Sequence, residues 1–309
     1  MLKYILKRLF FMFPVIIGIT FFIYGILALA PGDPIPSMLG PDATAEQINA
    51  LRHELGMDRP LVIRYLVYMG GVVQGDFGNS WLNRRPILNE FSQRLPNTIA
   101  LAFSALFITI TFGLSLGIIA AIRQNKPIDA ITLVFALVFA SMPTFWCGLM
   151  MQLLFALRLG WFPAMGVGTL RHMVMPAFAL SLFGLASQVR MTRSSMLDVI
   201  KMDYIRTARA KGSGELRVVF LHVIRNGLMP VVTNLGISLA SYMGGSIITE
   251  TIFSIPGIGS YLINSIKGRD IPVVMAVIIF VAIFVALSNL IVDIIYAFID
   301  PRVKLGYMS

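Results

Sequence analysis

Six apolar runs, at about residues 9–29, 98–122, 131–157, 173–189, 227–249 and 273–298, constrain this chain more than any other feature. An α-helix rises 1.5 Å per residue, so about 20 residues cross the roughly 30 Å hydrocarbon core of a bilayer. The fourth run is the shortest, which suits a helix with little tilt or one leaning on neighbours. Hydrocarbon supplies no partner for backbone N–H and C=O groups, so each run must satisfy its own backbone as a helix. Of the 309 residues, 57% are hydrophobic and only 13% charged, about half the charge of a soluble domain. The expectation is an all-α integral membrane protein with six transmembrane helices. It divides into an N-terminal transmembrane helix within 1–30, an extramembrane segment 31–97 with short helices, and a core 98–309 of five transmembrane helices carrying the loop 190–226.

The basic residues set the orientation. With the N-terminus inside, the inner segments hold 15 Lys and Arg against 5 Asp and Glu, and the outer segments hold 10 against 9. Both termini are therefore expected in the cytoplasm, and 31–97 outside. The net charge of +10 is accounted for by this asymmetry and by anionic lipid, which leaves nothing for nucleic acid to explain. The one cysteine, Cys147, lies in an apolar run and permits no disulfide within the chain. Residues 1–29 have the basic start and apolar run of a signal peptide. The run is too long, however, and Pro31 directly after Ala28-Leu-Ala30 is a poor cleavage context, so an uncleaved first span is expected.

In the segment 31–97, Thr44-Ala-Glu-Gln47 is a capping-box pattern. Ile48, Leu51 and Leu55 then form an apolar face, and Gly56 stops that helix. Pro60 opens a second helix, and Gly75-Asp-Phe-Gly78 breaks it. Two readings stand for the segment: a surface or flap for an external binding protein, or a packed cap over the span ends. Trp81 suits a membrane interface.

The second run contains Gly113-Leu-Ser-Leu-Gly117, which reads as the serine-hydrolase elbow. That elbow needs a strand-to-helix turn. Mid-run in an apolar helix, two glycines four apart instead let helices pack closely. In the third run, Pro143 within Ser141-Met-Pro-Thr-Phe-Trp146 predicts a kink, with Ser141 and Thr144 able to satisfy freed carbonyls. In the fifth run, Gly236, Ala240 and Gly244 recur at fours beside Ser241 and Gly245, a face for either an intramolecular contact or a dimer seam. Ser141, Asn234, Ser238 and Ser241 are the candidate pathway-lining residues, with local hydrogen bonding as the other reading for each. Asn289, Asp293, Tyr296 and Asp300 share one face of the last run. Asp293 lies about one turn from its end, which favours a structural polar cluster over a transport role.

One polar, basic stretch stands apart: Asp203-Tyr-Ile-Arg-Thr-Ala-Arg-Ala-Lys-Gly212, between the fourth and fifth runs. Tyr204, Ala208 and Lys211 fall on one helical face with Ile205 beside them. Thr207, Ala208 and Ala210 are small, so another protein can come close, and Gly212 is a C-terminal stop. An ordinary basic cytoplasmic loop is the alternative.

The stretch resembles the coupling loop of ABC-importer permeases, in which Glu-Ala-Ala, three residues and Gly recur. Arg206-Thr207-Ala208 holds the Glu-Ala-Ala position and Gly212 the Gly, while His222-Val-Ile-Arg225 stands where the general pattern has Ile-x-Leu-Pro. With Pro31-Gly-Asp-Pro34, Gly75-Asp-Phe-Gly78, Ser141-Met-Pro-Thr-Phe-Trp146, Glu250-Thr-Ile-Phe-Ser-Ile-Pro-Gly-Ile-Gly259 and Asp300-Pro-Arg302, the whole chain resembles the first permease subunit of dipeptide and oligopeptide ABC importers. The resemblance implies a type I (MetI-like) six-helix permease fold in a prokaryotic inner membrane. It implies as partners a second permease subunit, two ABC ATPase subunits and an extracytoplasmic substrate-binding protein. Asp203, Tyr204, Arg206, Thr207, Ala208, Arg209, Ala210, Lys211 and Gly212 are the implied ATPase-coupling residues. Peptide import is the implied function, with glutathione or nickel-chelate import by the same architecture as alternatives.

The chain contains no Gly-Lys dipeptide and hence no Walker-type phosphate loop. No catalytic constellation, metal-ligand spacing or cofactor site stands out, and His53-Glu54 lacks the second histidine of a zinc protease. The reading is a transport subunit and not an enzyme. A stand-alone secondary transporter is a distant alternative, since it would call for internal repeats or buried charge pairs.

Overall fold

This computed structural model describes the backbone of residues 2–29, 32–40 and 42–299, and the side chains of residues 10–29, 32–36, 38–40 and 42–291. Its helices in chain order are α1 (Leu2–Leu29), α2 (Pro34–Leu39), α3 (Ala45–Glu54), α4 (Leu61–Val73), α5 (Ile87–Ile108), α6 (Ser115–Ile122), α7 (Pro127–Ser141) and α8 (Thr144–Met151). They continue with α9 (Leu170–Ile200), α10 (Asp203–Ala210), α11 (Glu215–Val218), α12 (Arg225–Ile252), α13 (Ile258–Lys267) and α14 (Ile271–Ile299). Single stretches of π-helix, Thr109–Leu114, Gln152–Arg158 and Val219–Ile224, follow α5, α8 and α11 without a break. Among the described residues there is no strand beyond one isolated bridge between Asn79 and Pro86.

Five helical stretches are long and apolar enough to cross a membrane: Phe10–Leu29, Ile87–Ile122, Leu170–Ile200, Glu215–Ile252 and Ile271–Ile291. The sixth expected span is broken. Pro127–Ser141 and Thr144–Arg158 meet at 99°, so the expected kink is a full break. Pro143 pushes the residue before it out of the helical region, and Met142 is extended at φ −82°, ψ 126°. Pro143 is extended as well, at φ −62°, ψ 132°. Ser141 Oγ donates to the Leu137 carbonyl at 2.9 Å, its ordinary i−4 acceptor and not the Phe139 carbonyl that Pro143 frees. The fourth span grows from a short apolar run into the 31-residue α9 because Arg190 to Ile200 continue the helix.

The chain forms two compact units, one of residues 98–255 with 287–299, the other of 2–97 with 256–286. In the first, α9 is the central helix, packed by α6, α7, α8, α12 and the π-turn 109–114. The glycines of the second run make this possible. A Cβ on Gly117 would stand 2.6 Å from Thr192 Cβ and 2.9 Å from the Val189 carbonyl, and one on Gly113 would stand 2.8 Å from Gln188 Cβ. The close-packing reading of Gly113 and Gly117 is thus met by α9 itself. Of the small stripe on α12, Gly236 is buried, whereas a Cβ on Gly244 would meet nothing within 4 Å.

In the second unit the capping box forms as expected. The Gln47 amide N–H donates to Thr44 Oγ1 at 3.3 Å, and Gln47 Oε1 accepts from the Thr44 amide at 2.9 Å. Gly56 ends that helix at φ +63°, and Gly75 follows α4 at φ +84°. Asp270 precedes α14 and is buried at 1% exposure. Its carboxylate accepts from Ser80 Oγ at 2.5 Å and from the amides of Trp81 at 3.1 Å and Leu82 at 3.3 Å. Trp81 packs with Tyr24, Tyr65, Ile271 and Met275.

Candidate functional site

The stretch 203–212 folds as α10, a helix of 8 residues, too short to hold itself in water. Tertiary packing holds it. Ile205 is fully buried against a cluster of Met196, Leu197 and Val199 from α9, Val218 from α11 and Val223 from the π-turn 219–224. Ala208, one turn on, packs against the same cluster. The C-terminus closes with both bonds of a Schellman motif: the Gly212 amide to the Arg209 carbonyl at 2.9 Å, and the Ser213 amide to the Ala208 carbonyl at 3.3 Å. Gly212 sits at φ +81°, where L side chains are strained.

With the Ile205–Ala208 side spent on the chain's own core, the other side faces outward. Asp203, Tyr204, Arg206, Thr207, Arg209, Ala210, Lys211 and Gly212 are exposed. Of the nine residues singled out in the sequence, Ala208 is the one turned partly inward. Arg209 donates to Glu215 at 2.6 and 3.1 Å, and the carboxylate raises the guanidinium pKa. Arg206 approaches Asp203 at 3.8 Å, a surface pair of little energetic weight. The result is a short basic helix on a rigid apolar seat, presenting Tyr204, Thr207 and Lys211 to whatever meets it.

A stronger pair lies at the start of α7. Asp129, 3% exposed, accepts two bonds from Arg193 of α9, at 2.6 and 2.8 Å, and one from the Asn125 amide at 3.0 Å. This bidentate clamp fixes the 123–127 turn, where Asn125 adopts φ +62°, against the helix that seats α10. The two residues are 64 apart in sequence, and no pattern at either position announces the partner.

The four expected pathway residues divide. Ser141 is exposed beside the break and lines an open groove of about 570 Å³ with Leu137, Val138, Met142, Phe145 and Trp146. Ser241 is exposed on α12. Asn234 is engaged inside the bundle: its Nδ2 donates to Gln188 Oε1 at 2.7 Å and its Oδ1 accepts from Ser187 Oγ at 3.2 Å. Ser238 is buried and hydrogen-bonds the Tyr242 side chain. That hydroxyl pairs with Thr109 Oγ1 at 2.5 Å. Gln188 and Glu250, both fully buried, are polar residues that the run-by-run reading passed over. Thr98 Oγ1 donates to Glu250 Oε1 at 2.7 Å. The side chains of Asp293, Tyr296 and Asp300 lie outside the described residues.

Residues 113–305 match the family of binding-protein-dependent transport system inner membrane components, and residues 1–102 match the N-terminal region of such membrane components. The chain belongs to this family. The permease is 40% identical to the dipeptide transport system permease protein DppB of Alkalihalophilus pseudofirmus, over 98% of this chain and 100% of that one. It is 39% identical to the di/tripeptide transport system permease protein DppB of Pseudomonas aeruginosa, over 98% and 99%. Its identity to the glutathione transport system permease protein GsiC of Salmonella typhimurium is 37%, again over 98% and 99%. In fold it is similar to a chain of the inward-facing MetNI methionine ABC transporter, with a TM-score of 0.61 at 19% identity, covering 69% of this chain and 97% of that one. The permease is therefore a multi-pass inner-membrane transport subunit of the type I ABC-importer fold, and not an enzyme.

Proposed function

We propose that the chain is one of two permease subunits of an ABC importer that takes up di- or oligopeptides delivered by an extracytoplasmic binding protein. The observation that carries the substrate class is the pair of full-length relatives at 40% and 39% identity, both dipeptide-class permeases. The glutathione permease at 37% identity supports a second reading, uptake of glutathione, itself a γ-linked tripeptide. The positive-inside asymmetry of the sequence supports cytoplasmic termini and a cytoplasmic loop 190–226 carrying α10.

On this reading α10 docks into a groove of an ATPase subunit through Asp203, Tyr204, Arg206, Thr207, Arg209, Ala210, Lys211 and Gly212, with Ala208 between groove and seat. Closure of the ATPase pair on ATP pulls α10, and the cluster under Ile205 transmits the pull to α9 and α12. Coupling is mechanical and needs no bond made or broken in this chain. Ser141 and Ser241 are exposed and free to meet a substrate; Asn234 and Ser238 would do so only by giving up their present partners. The open part of the α12 stripe around Gly244 offers the second permease a close approach.

The test is uptake by proteoliposomes holding the assembled transporter. Labelled dipeptide, tripeptide and glutathione are presented with the binding protein, and release of phosphate is followed in parallel. Peptide uptake that requires ATP and the binding protein supports the proposal. Uptake by this chain alone, driven by an ion gradient, overturns it in favour of a secondary transporter.

A further inference from the structure

The second unit carries a short apolar helix whose outer face is exposed among the described residues. One side of α4 packs on α1 through Tyr65, whose ring lies 5.2 Å from Phe21 and 5.7 Å from Tyr24. The Tyr65 hydroxyl reaches Thr20 Oγ1 at 2.9 Å and the Ile17 carbonyl at 3.1 Å. Tyr24 and Ile17 lie about 7 and about 18 Å before Leu29 along the helix at 1.5 Å per residue. So α4 stands beside the membrane-crossing part of α1 and not beyond its end. Its other side shows Val62, Ile63, Leu66, Val67 and Val73, exposed between 47% and 85%. Helices that meet inside a bilayer do so through small residues. This ridge is mostly branched aliphatic, with Gly70 its one small member, and continues the apolar surface of α1, where Phe13, Ile17 and Phe21 are likewise exposed.

The rim of that ridge is basic and aromatic. A cavity of about 200 Å³ is lined by Tyr24, Arg59, Arg64, Tyr68, Trp81 and Pro272, among others. The Arg64 guanidinium lies 5.8 Å above the Tyr24 ring. Arg52, Arg85 and Arg94 of the same unit each pair with a carboxylate. Neither Arg59 nor Arg64 has an ion pair among the described residues. Two guanidinium groups without a close ion-pair partner among the described residues, set among interfacial aromatics and opening onto an aliphatic ridge, complement a phosphate with acyl chains attached.

We propose that α4 and this cavity form a binding site for one anionic phospholipid, with its phosphate at Arg59 and Arg64 and its chains along Val62, Leu66 and Val67. On the orientation proposed above this is the outer leaflet; the site itself does not depend on the transported substrate. Aromatic Tyr24, Tyr68 and Trp81 hold the headgroup level, as aromatic belts do.

Native mass spectrometry of the assembled transporter, titrated with phosphatidylglycerol and with phosphatidylcholine, tests the headgroup. Arg59→Gln with Arg64→Gln should weaken phosphatidylglycerol retention about 25-fold, from about fivefold per basic residue, and leave phosphatidylcholine unchanged. Equal retention of both lipids, an unaffected double variant, or inorganic phosphate bound with the same arginine dependence overturns the proposal. A nitroxide at Leu66→Cys, in a Cys147→Ala background, tests the ridge independently. Relaxation by oxygen should exceed that by a water-soluble paramagnetic chelate in the assembled transporter. Faster relaxation by the chelate would put α4 in water, and protection from both agents would put a protein subunit on it; either overturns the site.

Discussion

Ile205→Ala is the perturbation that most directly separates the seat of α10 from its outward face. Ile205 is fully buried among Met196, Leu197, Val199, Val218 and Val223. Truncating a buried Ile to Ala costs about 2–5 kcal/mol, the transfer term plus the cavity left behind. A helix of 8 residues has almost no stability of its own, so the loss falls on local docking of α10 before it falls on the fold. Even 2 kcal/mol raises the undocked population about 30-fold, at 1.4 kcal/mol per decade. Trypsin reads this population, since Arg206, Arg209 and Lys211 are exposed and cleavage tracks the open fraction when reclosing is fast. The variant should be cut at these sites at least tenfold faster, and its phosphate release in proteoliposomes should lose dependence on the binding protein. Tyr204→Ala, on the exposed side, should keep the parental cleavage rate and still lower transport. If Ile205→Ala is cut no faster and hydrolyses ATP in step with uptake, α10 is not held as described.

Asp129→Asn leaves the Arg193 guanidinium, 21% exposed, without its counter-charge and should lower stability by about 3 kcal/mol, read as a fall in thermal midpoint of the detergent-solubilised transporter; a double variant that also removes Arg193 should recover part of it. Gly117→Ala places a methyl 2.6 Å from Thr192 Cβ and should destabilise by about 1–3 kcal/mol, whereas Gly18→Ala, with nothing within 4 Å, should be neutral in the same melt. Tyr261→Phe removes a buried hydroxyl that has no hydrogen-bond partner among the described residues and should be neutral or slightly stabilising. Burial pushes the Tyr261 phenol up to about 12 from 10. The unfolded phenol therefore ionises first, and its contribution, present below pH 10, is lost as pH rises from 10 through 12. The Phe variant should lack that part of the alkaline loss, measured as thermal midpoint against pH.

What the sequence made legible follows from the range of the interactions concerned. Span number and the helical class rest on the bilayer's demand for self-satisfied backbone, which is a property of each run alone. The Thr44–Gln47 capping box and the Gly212 stop are likewise local, decided within four residues. Gly113 and Gly117 announced a close contact by their spacing, though not that Gln188 and Thr192 would fill it. Met142-Pro143 announced a bend, but its depth of 99° depends on two consecutive extended residues, and Pro alone guarantees only one boundary. The π-turns at 109–114, 152–158 and 219–224 shift the face of a helix by a fraction of a turn, and apolar runs that are hydrophobic all round carry no period in which such a shift would register. Asp129 with Arg193, and Tyr65 with Thr20, are bonds across 64 and 45 residues. Each partner taken alone is an unremarkable charge or hydroxyl. The same holds for α10. Its basic outward face could be read from the chain, but Ile205 looked like one apolar residue beside a polar face. Only the convergence of α9, α11 and the turn 219–224 shows that this side chain anchors the helix, and that Ala208 serves the seat as much as the surface.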